Sequence, residues 1–191
     1  MPQDQGQTTT AAALRHLAQA VQSLDAETPR VEIGSREAFD LLEDELGVTL
    51  PEDVRQLYLD SNPAALTVPM PVDDIEFIPL AEVSALRDDL ELEDGYLPVA
   101  LESEAPYAIE LGSGEVVVGT QTSQGWDWET IALSITDFLS ALAAIAESFA
   151  ATKGETLATR FEVGTDAEIH LEERLAAIDP EHADRWLEWL A

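Results

Sequence analysis

Two tryptophans two residues apart, in Gln124-Gly125-Trp126-Asp127-Trp128-Glu129, are the first residues whose types and spacing suggest chemistry. In a strand, positions i and i+2 share a face, so Trp126 and Trp128 stand together while Asp127 and Glu129 face the other way. The plain reading is a buried aromatic edge of the core. The functional reading is an aromatic anchor rimmed by carboxylates, the composition of a protein-binding hot spot. Other chemistries are poorly supplied. No Gly-x-Ser-x-Gly elbow is present, and Gly112-Ser113-Gly114 lacks the lysine of a phosphate loop. His16, His170 and His182 show no paired ligand spacing and read as surface residues. Asp73-Asp74 with Glu76, and Asp88-Asp89 with Glu91, lack the alternating ligands and central glycine of a calcium loop. Cysteine is absent, which removes disulfides and thiolate chemistry. No catalytic set, metal or cofactor is expected. Carboxylate pairs for acid–base work are inevitable among 39 acidic residues, so each one says little.

That acidity is the extreme feature of the composition. Of 191 residues, 39 are acidic and 9 basic, a formal charge of −30, yet 46% are hydrophobic, enough for a packed core. Such a surface repels nucleic acid and anionic membranes and attracts basic partners or cations. The densest run, Asp88, Asp89, Glu91, Glu93 and Asp94, is either a solvated loop or part of a partner-binding surface. Asp73, Asp74, Glu102 and Glu104 are its expected neighbours across a sheet edge, with Trp126 and Trp128 as the apolar anchor. Life in high salt is a separate explanation of the charge, and one lysine against eight arginines fits it. The polar stretch Met1 to Thr10 lacks the blocks of a signal peptide, and no apolar run reaches membrane-spanning length, so a cytoplasmic protein is expected.

The positioning elements follow from periodicity and punctuation. Thr10 is placed as the cap of a helix with Leu14, Leu17, Val21 and Leu24 on one stripe, and Asp25 to Arg30 as a linker. Ser35 caps a second helix carrying Phe39, Leu42 and Leu46, which Gly47 ends. Pro51 opens a third, with Leu50, Val54, Leu57 and Tyr58 on one face; Thr49 with Glu52 is an alternative capping box. The prolines at 63, 69 and 71 indicate a loop or sheet edge, followed by a short strand Ile75–Ile78 and a helical turn or two through Leu86. Tyr96–Leu101 is strand-like, with Pro98 at an edge or an irregular start. Tyr107–Leu111 and Glu115–Val118 form a hairpin around Gly112-Ser113-Gly114. Trp128–Leu133 adds a strand. Ser134 with Asp137 caps the strongest helix, with Ile135, Phe138, Leu139, Leu142, Ile145, Ala146 and Phe149 on one face. Lys153-Gly154 breaks it, and Phe161–Gly164 is a connector. Thr165 and Glu168 form a capping box for a helix with Leu171, Leu175 and Ile178, and Asp179-Pro180 starts another with Ala183, Trp186, Leu187 and Leu190. This C-terminal pair is expected to pack on the domain, against the Leu14 helix. The class is α+β: a mostly antiparallel sheet with surrounding helices.

Leu46-Gly47, then Leu50-Pro51-Glu52-Asp53-Val54, Tyr58 and Ser61-Asn62, resemble the opening signature of the SUKH superfamily of Smi/Knr-type domains. Ile75–Val83, Leu97–Ala100, the hairpin and Ala132–Leu139 resemble its later blocks in order, over residues 35 to 145. Pro63-Ala64-Ala65 stands where the family commonly has glycines. The resemblance implies a six-stranded type of sheet with helices around it and a non-enzymatic binding role. It divides the chain into an N-terminal tail and helix (1–34), a SUKH-like domain (35–150) and a C-terminal helical extension (151–191). Bacterial members are typically immunity proteins that neutralise toxins, here expected to be a basic protein such as a nuclease; the alternative is a regulatory adaptor or scaffold without a toxin.

Overall fold

The computed structural model describes residues 9–24, 34–60, 62–63, 66–71, 73–151 and 165–190. The expected tail, the Asp25–Arg30 linker, the Lys153-Gly154 break, the Phe161–Gly164 connector and the side chains of the Thr165–Glu168 capping box lie outside them.

A six-stranded antiparallel sheet runs in chain order: β1 (Thr67–Val68), β2 (Ile75–Phe77), β3 (Tyr96–Glu102), β4 (Ala105–Glu110), β5 (Val116–Thr122) and β6 (Gly125–Ala132). The hairpin is as expected: Glu110 N–H donates to Glu115 O at 2.9 Å, and Gly114 turns the chain at φ 83°. One strand expectation changes. β6 begins at Gly125, not Trp128, because both tryptophans pair with β5, Trp126 with Gln121 and Trp128 with Gly119. Pro98 lies in the irregular start of β3 as expected, paired with Ala108 of β4 but beyond the reach of β2, which pairs only with Ala100–Glu102; the register shifts between Pro98 and Ala100, which accommodates a residue with no N–H to give the ladder.

Helices α1 (Thr10–Gln22), α2 (Arg36–Leu46), α3 (Glu52–Arg55, continued as a π-helical turn Gln56–Asp60), α4 (Val83–Asp89), α5 (Ile135–Ala151), α6 (Thr165–Ile178) and α7 (Ala183–Leu190) surround the sheet. Thr9, not Thr10, caps α1: Thr9 Oγ1 accepts from Ala12 N–H at 3.2 Å. Thr10 is buried, its hydroxyl engaged 2.8 Å from that of Thr136 in α5. Ser35 and Gly47 (φ 66°) bound α2 as expected. At the corner that follows, Pro51 is the N-cap rather than the first helical residue, with ψ 155° and no side-chain cap. The joint is pinned instead by Glu43, whose Oε1 accepts from Leu50 N–H at 2.8 Å and from Arg55 Nη2 at 3.1 Å. Leu50, Val54, Leu57 and Tyr58 all face inward.

Ser134 and Asp137 cap α5: the serine hydroxyl donates to Asp137 Oδ2 at 2.6 Å and accepts from Asp137 N–H. The apolar face of α5 lies on one face of the sheet. Phe138 is its centre, with ring centroids 5.4 Å from Tyr107, 6.2 Å from Phe77 and 5.8 Å from Trp186. The C-terminal pair packs on α5 rather than chiefly on α1. Asp179 does not open a helix; its buried carboxylate accepts from Leu133 N–H, Glu181 N–H and His182 Nδ1, and α7 starts at Ala183. Glu147 of α5 accepts from Arg174 of α6 and contacts His16 of α1 at 2.6 Å, joining three helices.

Truncating the centre of this core in Phe138→Ala is expected to cost about 3–5 kcal/mol, read as a midpoint shift in urea. Burial alone would raise the Glu147 pKa, but the Arg174 hydrogen bond and then the His16 contact outweigh it and hold the carboxyl low. A depressed carboxyl stabilises the fold above its unfolded pKa, and that contribution is lost as pH falls through the folded value. Glu147→Gln should therefore lower Tm at about pH 7, with the difference shrinking as pH falls below the ordinary glutamate range.

Candidate functional site

The acidic run folds into a compact turn rather than an open loop. Asp88 and Asp89 end α4, where the chain curls back through Glu91 N–H to Asp88 O and Leu92 N–H to Arg87 O, with Glu91 at φ 53°. Leu92 is buried and anchors the turn, so the charges around it point outward. Arg87 donates to Asp94 at 2.6 Å, neutralising one of the five.

On the sheet face opposite α5, the two tryptophans stand together, their centroids 5.9 Å apart. Trp128 stacks on Tyr96 of β3, at 4.4 Å and 17°. Both rings rest on Gly119 of β5, where a Cβ would lie 2.8 Å from Trp128 and 3.0 Å from Trp126. Trp126 Nε1–H then donates to the backbone carbonyl of Leu90 at 2.8 Å, across 36 positions of sequence. That bond fastens the acidic turn to the aromatic pair.

Between them lies a groove of about 520 Å³, lined by Asp89, Leu90, Glu91, Leu101, Ser103, Glu104, Gln121 and Trp126. Of the residues singled out in the sequence, Asp89, Glu91, Glu104 and Trp126 meet in this groove. Asp73 adjoins it through a 2.6 Å bond from Ser103 Oγ, and Trp128 supports it from beneath Trp126. Glu93 and Asp94 are exposed on the same turn. The remainder sit elsewhere. Asp88 lines a separate recess with Leu41, Leu42 and Leu80. Asp74 accepts from Met70 N–H in its own loop. Glu102 accepts from Tyr107 OH at 2.8 Å, on the helix-covered face. Burial, then the neighbouring Glu102 carboxylate, push the Tyr107 phenol up, so it stays protonated and remains the donor.

A larger recess of about 720 Å³ lies at the helix ends, bordered by Thr9, Thr10, Glu52, Asp53, Ser134, Thr136, Asp137 and Ser140. Sequence reasoning missed it because four separate segments supply its wall. Thr10 and Thr136 bond each other, Thr9 and Ser134 cap α1 and α5, Ser140 Oγ donates to the Thr136 carbonyl, and none of the three histidines lines the recess. His16 and His182 instead contact Glu147 and Asp179, with His182 half-buried rather than on the open surface. Among the described residues no group of three or more side chains could hold a metal ion.

The model of the SMI1/KNR4 family (SUKH-1) matches residues 34–141. The chain belongs to that family. No curated protein matches it. The SUKH-1 match spans the whole sheet, α2 to α4 and the first turns of α5; α1, α6 and α7 lie outside it. The groove, the aromatic pair and the acidic turn thus all belong to the SUKH-1 part of the chain.

Gly119 and Leu92 are the residues sequence reasoning missed. Both were available as signals, a glycine inside an apolar strand and a leucine inside a charge run. Gly119→Ala is expected to push the indoles off their seat at a cost of about 1–3 kcal/mol. Near-ultraviolet circular dichroism should lose the Trp–Tyr stacking signal while the far-ultraviolet spectrum persists; an unchanged near-ultraviolet spectrum would contradict the seating.

Proposed function

We propose that this SUKH-1 protein is an immunity protein that binds a basic toxin domain, a nuclease in the simplest case, and acts in the cytoplasm by occluding it. Its action is stoichiometric binding, not catalysis. The observation that carries this reading is the Trp126–Leu90 hydrogen bond, which makes one surface of the aromatic pair and the acidic turn. A flat aromatic anchor beside Asp89, Glu91 and Glu104 suits a cationic protein surface, where the carboxylates occupy the ground otherwise taken by phosphates. The formal charge of −30 steers such a partner over the Debye length, and the apolar contacts then set the lifetime of the complex. Glu93, Asp94 and Asp73 add to the rim, with Asp88, Asp74 and Glu102 contributing only to the long-range field.

The test is co-expression with the toxin encoded beside this gene, together with binding kinetics on the purified pair. Changing Asp89, Glu91 and Glu104 to Asn or Gln should slow association by about tenfold at low salt and flatten its salt dependence, with dissociation changing less. Equal association rates at low salt would remove the groove as the site. If wild type gives no protection, the immunity reading fails for that pair and a regulatory adaptor takes its place.

A further inference from the structure

The sheet has two edges, and they differ. β1 is two residues long, whereas β6 runs for eight, Gly125 to Ala132. The direction of the backbone groups of β6 follows from the ladder. Glu110 N–H bonds Glu115 O, so by alternation Val117 turns its polar groups to β4, and Val118 and Thr120 turn theirs to β6. Their partners on β6 are Glu129 and Asp127. The N–H and C=O groups of Trp126, Trp128 and Thr130 therefore point off the free edge. Among the described residues nothing hydrogen-bonds to them. The corner at Asp179 covers only the far end, through Leu133 N–H.

Long open edges invite pairing, and proteins guard them with charge. Here the guard has one sign. Asp127 and Glu129 are exposed on the face of β6 opposite the tryptophans, and Glu129 alone has an ion-pair partner, Arg185. Pairing with a second copy would oppose carboxylate to carboxylate on a chain of net charge −30. A basic strand meets the opposite situation.

We propose that β6 is a docking edge that takes an extended basic segment of the protein partner as a seventh strand. The added strand bonds to the outward groups of Trp126, Trp128 and Thr130. Its residues alternate: apolar side chains lie beside the Trp126–Trp128 face, and lysines or arginines lie beside Asp127 and Glu129. Main-chain bonds hold the segment and the alternation selects it. This rests on the proposal of a basic protein partner, and adds the mode by which it is held.

The experiment uses the full chain, isotope-labelled, with a decapeptide of alternating valine and lysine as probe. The valines are the residues whose backbone would meet the edge. On saturation, the amides of Trp126, Trp128 and Thr130 should exchange with solvent about tenfold more slowly. N-methylation of the valines should abolish this protection, and N-methylation of the lysines should leave it. In parallel, Thr130→Pro removes one outward donor at an edge position that tolerates proline, and should weaken peptide binding while the far-ultraviolet spectrum is kept. Unchanged edge-amide exchange, or equal protection by the two methylated peptides, overturns the added strand. Peptide shifts confined to the Asp89–Glu104 groove would overturn it while leaving the groove proposal standing, and absence of protection on toxin co-expression would strike the immunity reading alone.

Discussion

Everything in this molecule depends on the middle of α5, residues 141–146, being buried on every side. The helix's large residues Ile135, Phe138, Leu142, Ile145 and Phe149 are fully enclosed, and so are Ala143, Ala144 and Ala146 on other parts of its surface. A stretch of helix apolar all round cannot sit on the surface of a domain, so it must be covered by more than a sheet. The small alanines let α1 and α6 approach closely where large side chains would hold them away. The sheet takes the aromatic side, α1 and α6 take the others, and Trp186 of α7 closes the gap beside Phe138. With the helices gathered there, the opposite face of the sheet is left to α4, the acidic turn and the aromatic rings. The groove exists because the covering on that side is thin.

Charge is distributed to match. Among the described residues four arginines make ion pairs, and each joins parts of the fold: Arg55 to Glu43 at the corner, Arg87 to Asp94 at the turn, Arg174 to Glu147 between helices, and Arg185 to Glu129 on β6. Cations are thus placed where acidic groups are structural. The carboxylates of the groove receive none of these four, so their field projects into solvent. Surface pairs contribute little individually, but a chain with so few cations gains most where one holds two elements together.

Local chemistry was legible in the sequence, and long-range chemistry was not. The Ser35 and Ser134 caps, the Gly47 terminus, the glycine hairpin and the shared side of Trp126 and Trp128 are set by residues within a few positions of one another. They appear where periodicity and capping place them. Two of the errors share a cause. Thr10 looked like a cap until Thr136, 126 positions away, engaged its hydroxyl. Asp179 looked like a helix start, but its carboxylate is held by Leu133 N–H and His182. The candidate site was half legible on the same terms. Its residue types stood out, but the grouping of Asp89, Glu91, Glu104 and Trp126, and the separation of Asp88 and Glu102 from them, depend on contacts between distant segments.

The way β6 is held explains how a thinly covered face can still be ordered. At its C-terminal end the strand is gripped from the helix side, by Asp179 on Leu133 and Arg185 on Glu129. Both grips come from the helical pair outside the SUKH-1 match. At its N-terminal end the strand is fixed by its own side chains: Trp128 stacked on Tyr96, Trp126 bonded to Leu90 at the end of α4, both seated on Gly119. Aromatic rings lose little conformational entropy when fixed, having few rotatable bonds. Fixing them before a partner arrives removes an ordering cost that binding would otherwise carry. A glycine at position 119 is what permits this, because any side chain there would lift the rings from the sheet and release the acidic turn from its tether.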